Sequence, residues 1–261
     1  MFKSKTFIVL LALSLIAAFA LSACGDSKSQ DVLRVGTDDT YPPMEFKNEK
    51  NDTVGFDIDL AQEIGKRLGK KVEIVSNDWA GIFRALETDK FDCIISSTSI
   101  TDERLERYEM TEAYIANAQV IVVPPDDDTI KEPKDLAGKK VGVQIETTAS
   151  ESAEKFQKEI PFDYREYDQV IQPFQDMKAG RLDAIIVDEV VARYYVTQDQ
   201  KSYKVTGARL TNEPIGIVIK KGNTQLRDSI QKAIDDMRKD GTLKKISEKW
   251  FGEDLVTNVG K

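Results

Sequence analysis

Residues 96–104 read Ser-Ser-Thr-Ser-Ile-Thr-Asp-Glu-Arg. Five hydroxyl side chains fall within six residues, and an arginine follows three residues after the last of them. Hydroxyls donate hydrogen bonds, and a guanidinium offers a planar set of N–H groups whose geometry matches a carboxylate. Thr101 and Asp102 read as the start of a helix, whose N-terminal field also favours an anion. The run is therefore suited to holding a carboxylate. Taken alone, the same residues also make a helix cap, Ser99-x-x-Asp102, followed by an exposed arginine.

The elements that would position this run lie just before it. Cys93-Ile94-Ile95 is an apolar stretch of the kind that fills a buried strand, and Cys93 reads as a small apolar group within it. The same design recurs: "ALETDKFDCIIS" and "DMKAGRLDAIIVD" share a helix end, a basic residue, a large apolar residue, an aspartate, a small residue and Ile-Ile. The first strand opens onto the hydroxyl run and the second onto Asp188. In open α/β sheets ligands bind outside such strand ends. In isolation Asp188 is also an ordinary strand-end aspartate.

Around these strands the periodicity alternates. Strands are expected at residues 33–37, 72–75, 91–95, 119–123, 140–144, 182–187 and 215–219. Helices are expected at residues 57–68, where Leu60, Ala61, Ile64 and Leu68 fall on one face before Gly69, and around Ile82, Phe83 and Leu86. Further helices are expected at residues 150–157, 170–178, 224–239 and 243–251. Such alternation implies parallel sheets with helices on their faces. Thr148-x-x-Glu151 reads as a capping box. Asp57, at a helix start, reads as either a cap or a binding residue.

Composition closes several routes. The 261 residues contain no histidine, which excludes Ser-His-Asp and Cys-His catalysis and histidine-ligated zinc. With 37 basic against 45 acidic residues, the chain lacks the basic balance that a nucleic-acid backbone requires. No metal or cofactor is expected.

At the N-terminus, Lys3 and Lys5 precede an apolar stretch over residues 7–21, the layout of a secretory signal. Leu21-Ser22-Ala23-Cys24 resembles a bacterial lipobox, in which Cys24 would receive a diacylglyceryl group. A plain signal peptide with an incidental cysteine is the alternative. Residues 1–23 are thus expected to be a lipoprotein signal peptide, and residues 24–31 a small, polar tether.

Seven stretches then occur in order: "GTDDTYPPMEF" (36–46), "VGFDIDLAQEIGKRLG" (54–69), "DWAGIFRAL" (78–86), "IISSTSITDER" (94–104), "DLAGKKVGVQ" (135–144), "AGRLDAIIVDE" (179–189) and "DGTLKKISEKWFG" (240–252). Together they resemble the polar amino-acid substrate-binding proteins of ABC importers, bacterial extracellular solute-binding protein family 3. The resemblance implies an α/β, two-lobed periplasmic-binding-protein-like (type II) fold with two hinge crossings. Lobe 1 would comprise residues 32–117 and 214–261, and lobe 2 residues 118–213. A free polar amino acid would be enclosed between them and delivered to an ABC transporter permease by a monomer held to the membrane through its lipid anchor, outside the cytoplasm.

The resemblance also assigns site residues. Arg104, with Ser97, Thr98, Ser99, Thr147 and Thr148, would hold the ligand carboxylate, and Asp188 the ammonium. Tyr41 and Trp79 would form aromatic walls, with Asp38 and Gln144 near the ligand side chain. Acid beside two aromatics implies a basic or amide side chain. The family has glycine where Glu146 stands, which leaves the local loop geometry and that side chain's direction open. Met44 replaces a phenylalanine as a core residue, and Glu45, Phe46 and the closing "KWFG" read as structural. Two rival readings remain: a cyclohexadienyl dehydratase-like enzyme on the same fold, for which Glu146 would be the acid, and a ligand-sensing domain.

Overall fold

The computed structural model describes residues 32–257 and 259; the signal peptide, tether and Cys24 expected from the sequence lie outside the described residues. The chain first lays down β1 (Val32–Thr37), β2 (Thr40–Tyr41), β3 (Glu45–Lys47), β4 (Thr53–Val54), α1 (Phe56–Leu68), β5 (Lys71–Ser76), α2 (Trp79–Glu87), β6 (Cys93–Ile94), α3 (Asp102–Arg107) and β7 (Tyr108–Met110). It then builds β8 (Gln119–Val123), β9 (Lys140–Gln144), α4 (Thr148–Gln157), β10 (Asp163–Tyr167), α5 (Ile171–Lys178), β11 (Ala184–Asp188), α6 (Glu189–Gln198) and β12 (Lys204–Arg209). It returns through β13 (Val218–Lys220), α7 (Thr224–Lys239) and α8 (Thr242–Phe251).

Two five-stranded sheets result, in the orders β5-β1-β6-β13-β7 and β10-β9-β11-β8-β12, with β2, β3 and β4 forming a small third sheet. The architecture is α/β with two sheet-and-helix lobes. Neither large sheet is wholly parallel, contrary to the sequence expectation. β1 and β6 run parallel, but β13 is antiparallel to both β6 and β7. β9 is parallel to β10 and β11, while β8 is antiparallel to β11 and β12.

The cause is the connection between the lobes. Residues 115–119 carry the chain out and residues 210–215 carry it back. The two stretches pair through Ile215 N–H to Ile115 O at 3.0 Å, Glu213 N–H to Asn117 O at 2.9 Å and Leu210 N–H to Gln119 O at 2.8 Å. β6 and β11 run toward this junction and end at it. β8 and β13 start from it and run away, so each inserts antiparallel into its sheet.

Apolar burial follows the expected faces. Leu60, Ala61 and Ile64 of α1 pack with Leu33 and Val35 of β1 and with Met44, all nearly inaccessible to solvent. Cys93 is a free, buried thiol in β6. In the second lobe, Ile121, Val123, Val141, Val143, Ala184 and Ile186 form a core under α4. No helix among the described residues is long and apolar enough to cross a membrane.

Candidate functional site

The carboxyl ends of β6 and β11 meet at a narrow cleft between the lobes. Asp38, Tyr41, Trp79, Ser97, Ser99 and Arg104 line it from the first lobe, and Gln144, Thr147, Thr148 and Asp188 from the second. Ser96, Glu45, Gln119 and Ala149 complete the wall. The lobes touch across it. Trp79 Nε1 donates to Glu146 O at 2.8 Å, Gln144 Nε2 to Asp38 Oδ2 at 3.2 Å, and Tyr41 OH to Asp188 Oδ2 at 2.7 Å. The arrangement is closed.

Arg104 is buried although it carries a fixed charge. Its backbone N–H is received by Thr101 Oγ1 at 3.2 Å, which makes Thr101 the cap of α3 and rules out the Ser99 cap. Its Nη1 donates to Ser99 O at 2.9 Å. The guanidinium lies 5.7 Å from the Trp79 ring centre and 5.3 Å from that of Phe83. Among the described residues it forms no ion pair; burial pulls its pKa down, and the more distant carboxylates of Glu151, Asp188 and Glu213 oppose that only in part. Aromatic faces and one carbonyl do not replace a counter-charge, so the group is left able to take an anion.

Asp188 is the opposite case. Oδ1 accepts from Asn117 Nδ2 at 2.7 Å and Gln119 Nε2 at 2.6 Å, and Oδ2 accepts from Tyr41. All three donors are neutral. Burial pushes the carboxyl up to about 6, against the pull of these hydrogen bonds. Asp38 is likewise pushed up by burial, while Thr40 and Gln144 donate to it.

The remaining expected residues divide. Ser97 Oγ is buried without a partner and faces the cleft, but the Ser97 N–H is turned away, donating to Asp57 Oδ2 at 2.8 Å. Ser99 Oγ lies 3.4 Å from Thr148 Oγ1 and 3.2 Å from Glu213 Oε2. Thr98 does not line the cleft: it is fully buried, and its hydroxyl donates to Ser96 O at 3.3 Å. The α4 cap is Thr147 with Ser150, one residue earlier than the expected Thr148–Glu151 box. Thr147 consequently spends its N–H on Ser150 Oγ and its hydroxyl on Gln144 O, at 3.2 and 2.7 Å.

Glu146 adopts φ 57°, the conformation in which glycine is at home, and its side chain is exposed and lines no part of the cleft. Asp57 is not a cap; Gly55 caps α1 and the Asp57 carboxyl points inward. Three residues that sequence reasoning missed, Asn117, Gln119 and Glu213, come from the crossings and join Ser99 to Asp188 through hydrogen bonds. Among the described residues no cluster of His, Cys, Asp or Glu could hold a metal.

Similarity to known proteins covers the same span. The family described as bacterial extracellular solute-binding proteins, family 3, matches residues 33–253. The chain is 34 % identical to the L-cystine-binding protein of Escherichia coli K12 over 253 residues, 94 % of each chain. It is 33 % identical to the histidine-binding periplasmic protein of the same organism, over 95 % of this chain and 98 % of that one. A solved structure of an ancestral arginine-binding protein bound to arginine superposes with TM-score 0.82 at 43 % identity, covering 85 % of this chain and 99 % of the other. The chain belongs to the bacterial extracellular solute-binding proteins, family 3.

Proposed function

We propose that the chain captures a free polar L-amino acid with a basic or amide side chain between its lobes, outside the cytoplasm, and hands it to the permease of an ABC importer. The observation that carries this reading is the buried, unpaired Arg104 guanidinium in the same cleft as Asp188, whose contacts are all neutral. Two opposite charges held apart in a closed cleft call for a zwitterion, because an unpaired buried charge costs several kcal/mol. The carboxylate would meet Arg104, Ser97, Ser99 and Thr148, and the ammonium would meet Asp188. Tyr41, Trp79, Asp38 and Gln144 would enclose the side chain. The histidine-binding relative and the arginine-bound neighbour support a basic side chain.

The lobes would divide at residues 117/118 and 213/214, where the crossings pair. Residues 1–23 would be removed, Cys24 lipidated and residues 24–31 left as the tether of a monomer. We read the site as that of a binder, and the position of Glu146, the acid of the dehydratase alternative, exposed and outside the cleft, supports that reading. Incubation with prephenate is accordingly expected to give no aromatic product.

The deciding experiment is a thermal-shift panel of the proteinogenic amino acids with ornithine, citrulline and cystine, followed by calorimetry on those that stabilise. Arginine, lysine, ornithine, histidine or glutamine is expected to raise Tm by mass action, with a Kd of about 1 μM. Stabilisation by small acidic or apolar amino acids alone would overturn the side-chain assignment, and stabilisation by none would overturn the reading itself.

A further inference from the structure

Two carboxyl groups, Glu45 and Asp57, lie wholly buried beside the 96–99 loop. Glu45 opens β3 and Asp57 sits in the first turn of α1. The backbone fixes them side by side: Phe56 N–H donates to Pro43 O at 3.0 Å and Asp57 N–H to Met44 O at 2.9 Å. Gly55, with φ 143°, makes that junction; a Cβ there would lie 2.0 Å from Met44 O. Glycine is required for so close an approach, and the two carboxyls cannot drift apart without breaking it.

Their hydrogen bonds are nearly all accounted for. Glu45 Oε1 accepts from Ser96 Oγ at 2.8 Å. Asp57 Oδ2 accepts the Ser97 N–H at 2.8 Å, and Tyr114 OH donates to Oδ1 at 2.8 Å. One atom is left over. Glu45 Oε2 is buried and receives no donor. The titratable groups facing the pair are Asp38, an acid, and Tyr41 and Tyr114, both phenols. No cation among the described residues pairs with either carboxyl. Two adjacent buried carboxylates cannot both stay ionised without a large cost, and an orphaned buried oxygen adds to it. A proton on Glu45 Oε2, shared with Asp57, removes both difficulties; burial drives both groups toward the protonated form.

We propose that Glu45 and Asp57 hold one proton between them and that this singly charged pair is a positioning device for the binding loop. Asp57 holds the Ser97 N–H, which keeps Ser97 at φ 45° with its hydroxyl turned to the cleft. Glu45 holds Ser96, whose hydroxyl also receives the Asp38 N–H at 2.9 Å. Loss of the proton places two charges side by side under the loop, so ligand capture weakens as pH rises. The positioning role rests on the ligand reading given above; the shared proton does not.

The test separates the two. Infrared spectroscopy of the ligand-free protein at neutral pH is expected to show a deuterium-sensitive carbonyl band of a protonated carboxyl group, absent in Glu45→Gln. L-arginine titrations across alkaline pH are expected to lose up to about tenfold in affinity per pH unit once the proton leaves. Glu45→Gln puts an amide N–H where the proton was, so its affinity is expected to fall over that range only as the ligand's own α-ammonium titrates, and the additional loss in the wild type reports the pair. Tyr114→Phe removes a donor that favours the ionised form, so the loss should move to higher pH. Absence of the infrared band overturns the shared proton. A Glu45→Gln profile that falls as the wild type does, or an unshifted Tyr114→Phe profile, overturns the positioning role. If arginine does not bind at any pH, the ligand reading fails while the band still decides the proton.

Discussion

Tyr41 of the first lobe donates its hydroxyl to Asp188 of the second at 2.7 Å, across the cleft. The bond occupies one oxygen of the carboxylate, while Asn117 and Gln119 occupy the other. All three partners are neutral, so none of these contacts cancels the charge. Asp188→Asn removes the only negative charge in that trio of contacts and is expected to weaken binding of a cationic amino acid by about 2–5 kcal/mol. Tyr41→Phe removes one neutral hydrogen bond and is expected to cost about 1 kcal/mol. Isothermal titration of both variants checks the order; equal losses would mean that the carboxylate's charge does not meet the ligand.

The same carboxyl sets a pH dependence at the acid end. Burial raises Asp188 from its ordinary value of 3.8 to about 6. A raised acid binds its proton more tightly when folded, so its contribution to stability is complete below 3.8 and is lost as pH climbs through about 6. A bound ammonium reverses the preference, because an opposite charge nearby favours the carboxylate. Ligand-free stability is therefore expected to fall across this window while affinity rises by up to about tenfold per pH unit. Calorimetry in buffers of different ionisation enthalpy should record proton release on binding at about pH 5. An affinity flat through the window, with no proton released, would remove Asp188 from the ammonium site.

Arg104 presents the complementary case, a charge whose burial opposes folding. Its contacts are Ser99 O and two ring faces, and burial lowers its pKa. Arg104→Met keeps the stem's volume and discards the uncompensated charge. The ligand-free variant is expected to gain about 1 kcal/mol, the removed desolvation outweighing the bond lost at Ser99 O, while amino-acid binding weakens by about 2–5 kcal/mol. Urea unfolding and titration measure the two effects independently. A variant that is less stable without ligand would show that the guanidinium is already compensated.

How far these groups were legible depends on how local their signals are. The hydroxyl run and Arg104 are contiguous, so their chemistry reads directly from residues 96–104. Asp188 needed the internal echo, since one aspartate after an apolar strand has no distinguishing pattern. Gln119 and Glu213 carry no local signal: Gln119 looks like the first residue of a strand. Only the antiparallel pairing of the crossings brings it within 2.6 Å of Asp188 and 3.1 Å of Glu213. That pairing also reversed β8 and β13, which strand–helix alternation cannot foresee. Glu45 read as structural and Asp57 as either a cap or a binding residue because periodicity reports apolar burial and is silent about a buried acid. Thr98 and Thr147 read as donors to the ligand for a related reason: their hydroxyls and the Thr147 N–H are spent on Ser96 O, Gln144 O and Ser150 Oγ in turns whose register composition alone does not set, although Thr147 still lines the cleft.

The interlobe bond from Trp79 Nε1 to Glu146 O separates closure from ligand contact. The indole also presents a face to Arg104 and meets Phe83 edge-on at 5.5 Å. Trp79→Phe keeps an aromatic face for the guanidinium and deletes the bond between lobes. It is expected to cost about 1 kcal/mol, or roughly fivefold in Kd, with small-angle scattering showing a larger share of open molecules without ligand. At the other end the acceptor is a backbone carbonyl, and Glu146 holds a positive φ that suits glycine better than glutamate. Glu146→Gly should therefore leave affinity within about twofold and stability unchanged or higher, because the carbonyl stays in place and the backbone relaxes. If Glu146→Gly weakened binding as much as Trp79→Phe, the carboxylate rather than the carbonyl would be fastening the lobes.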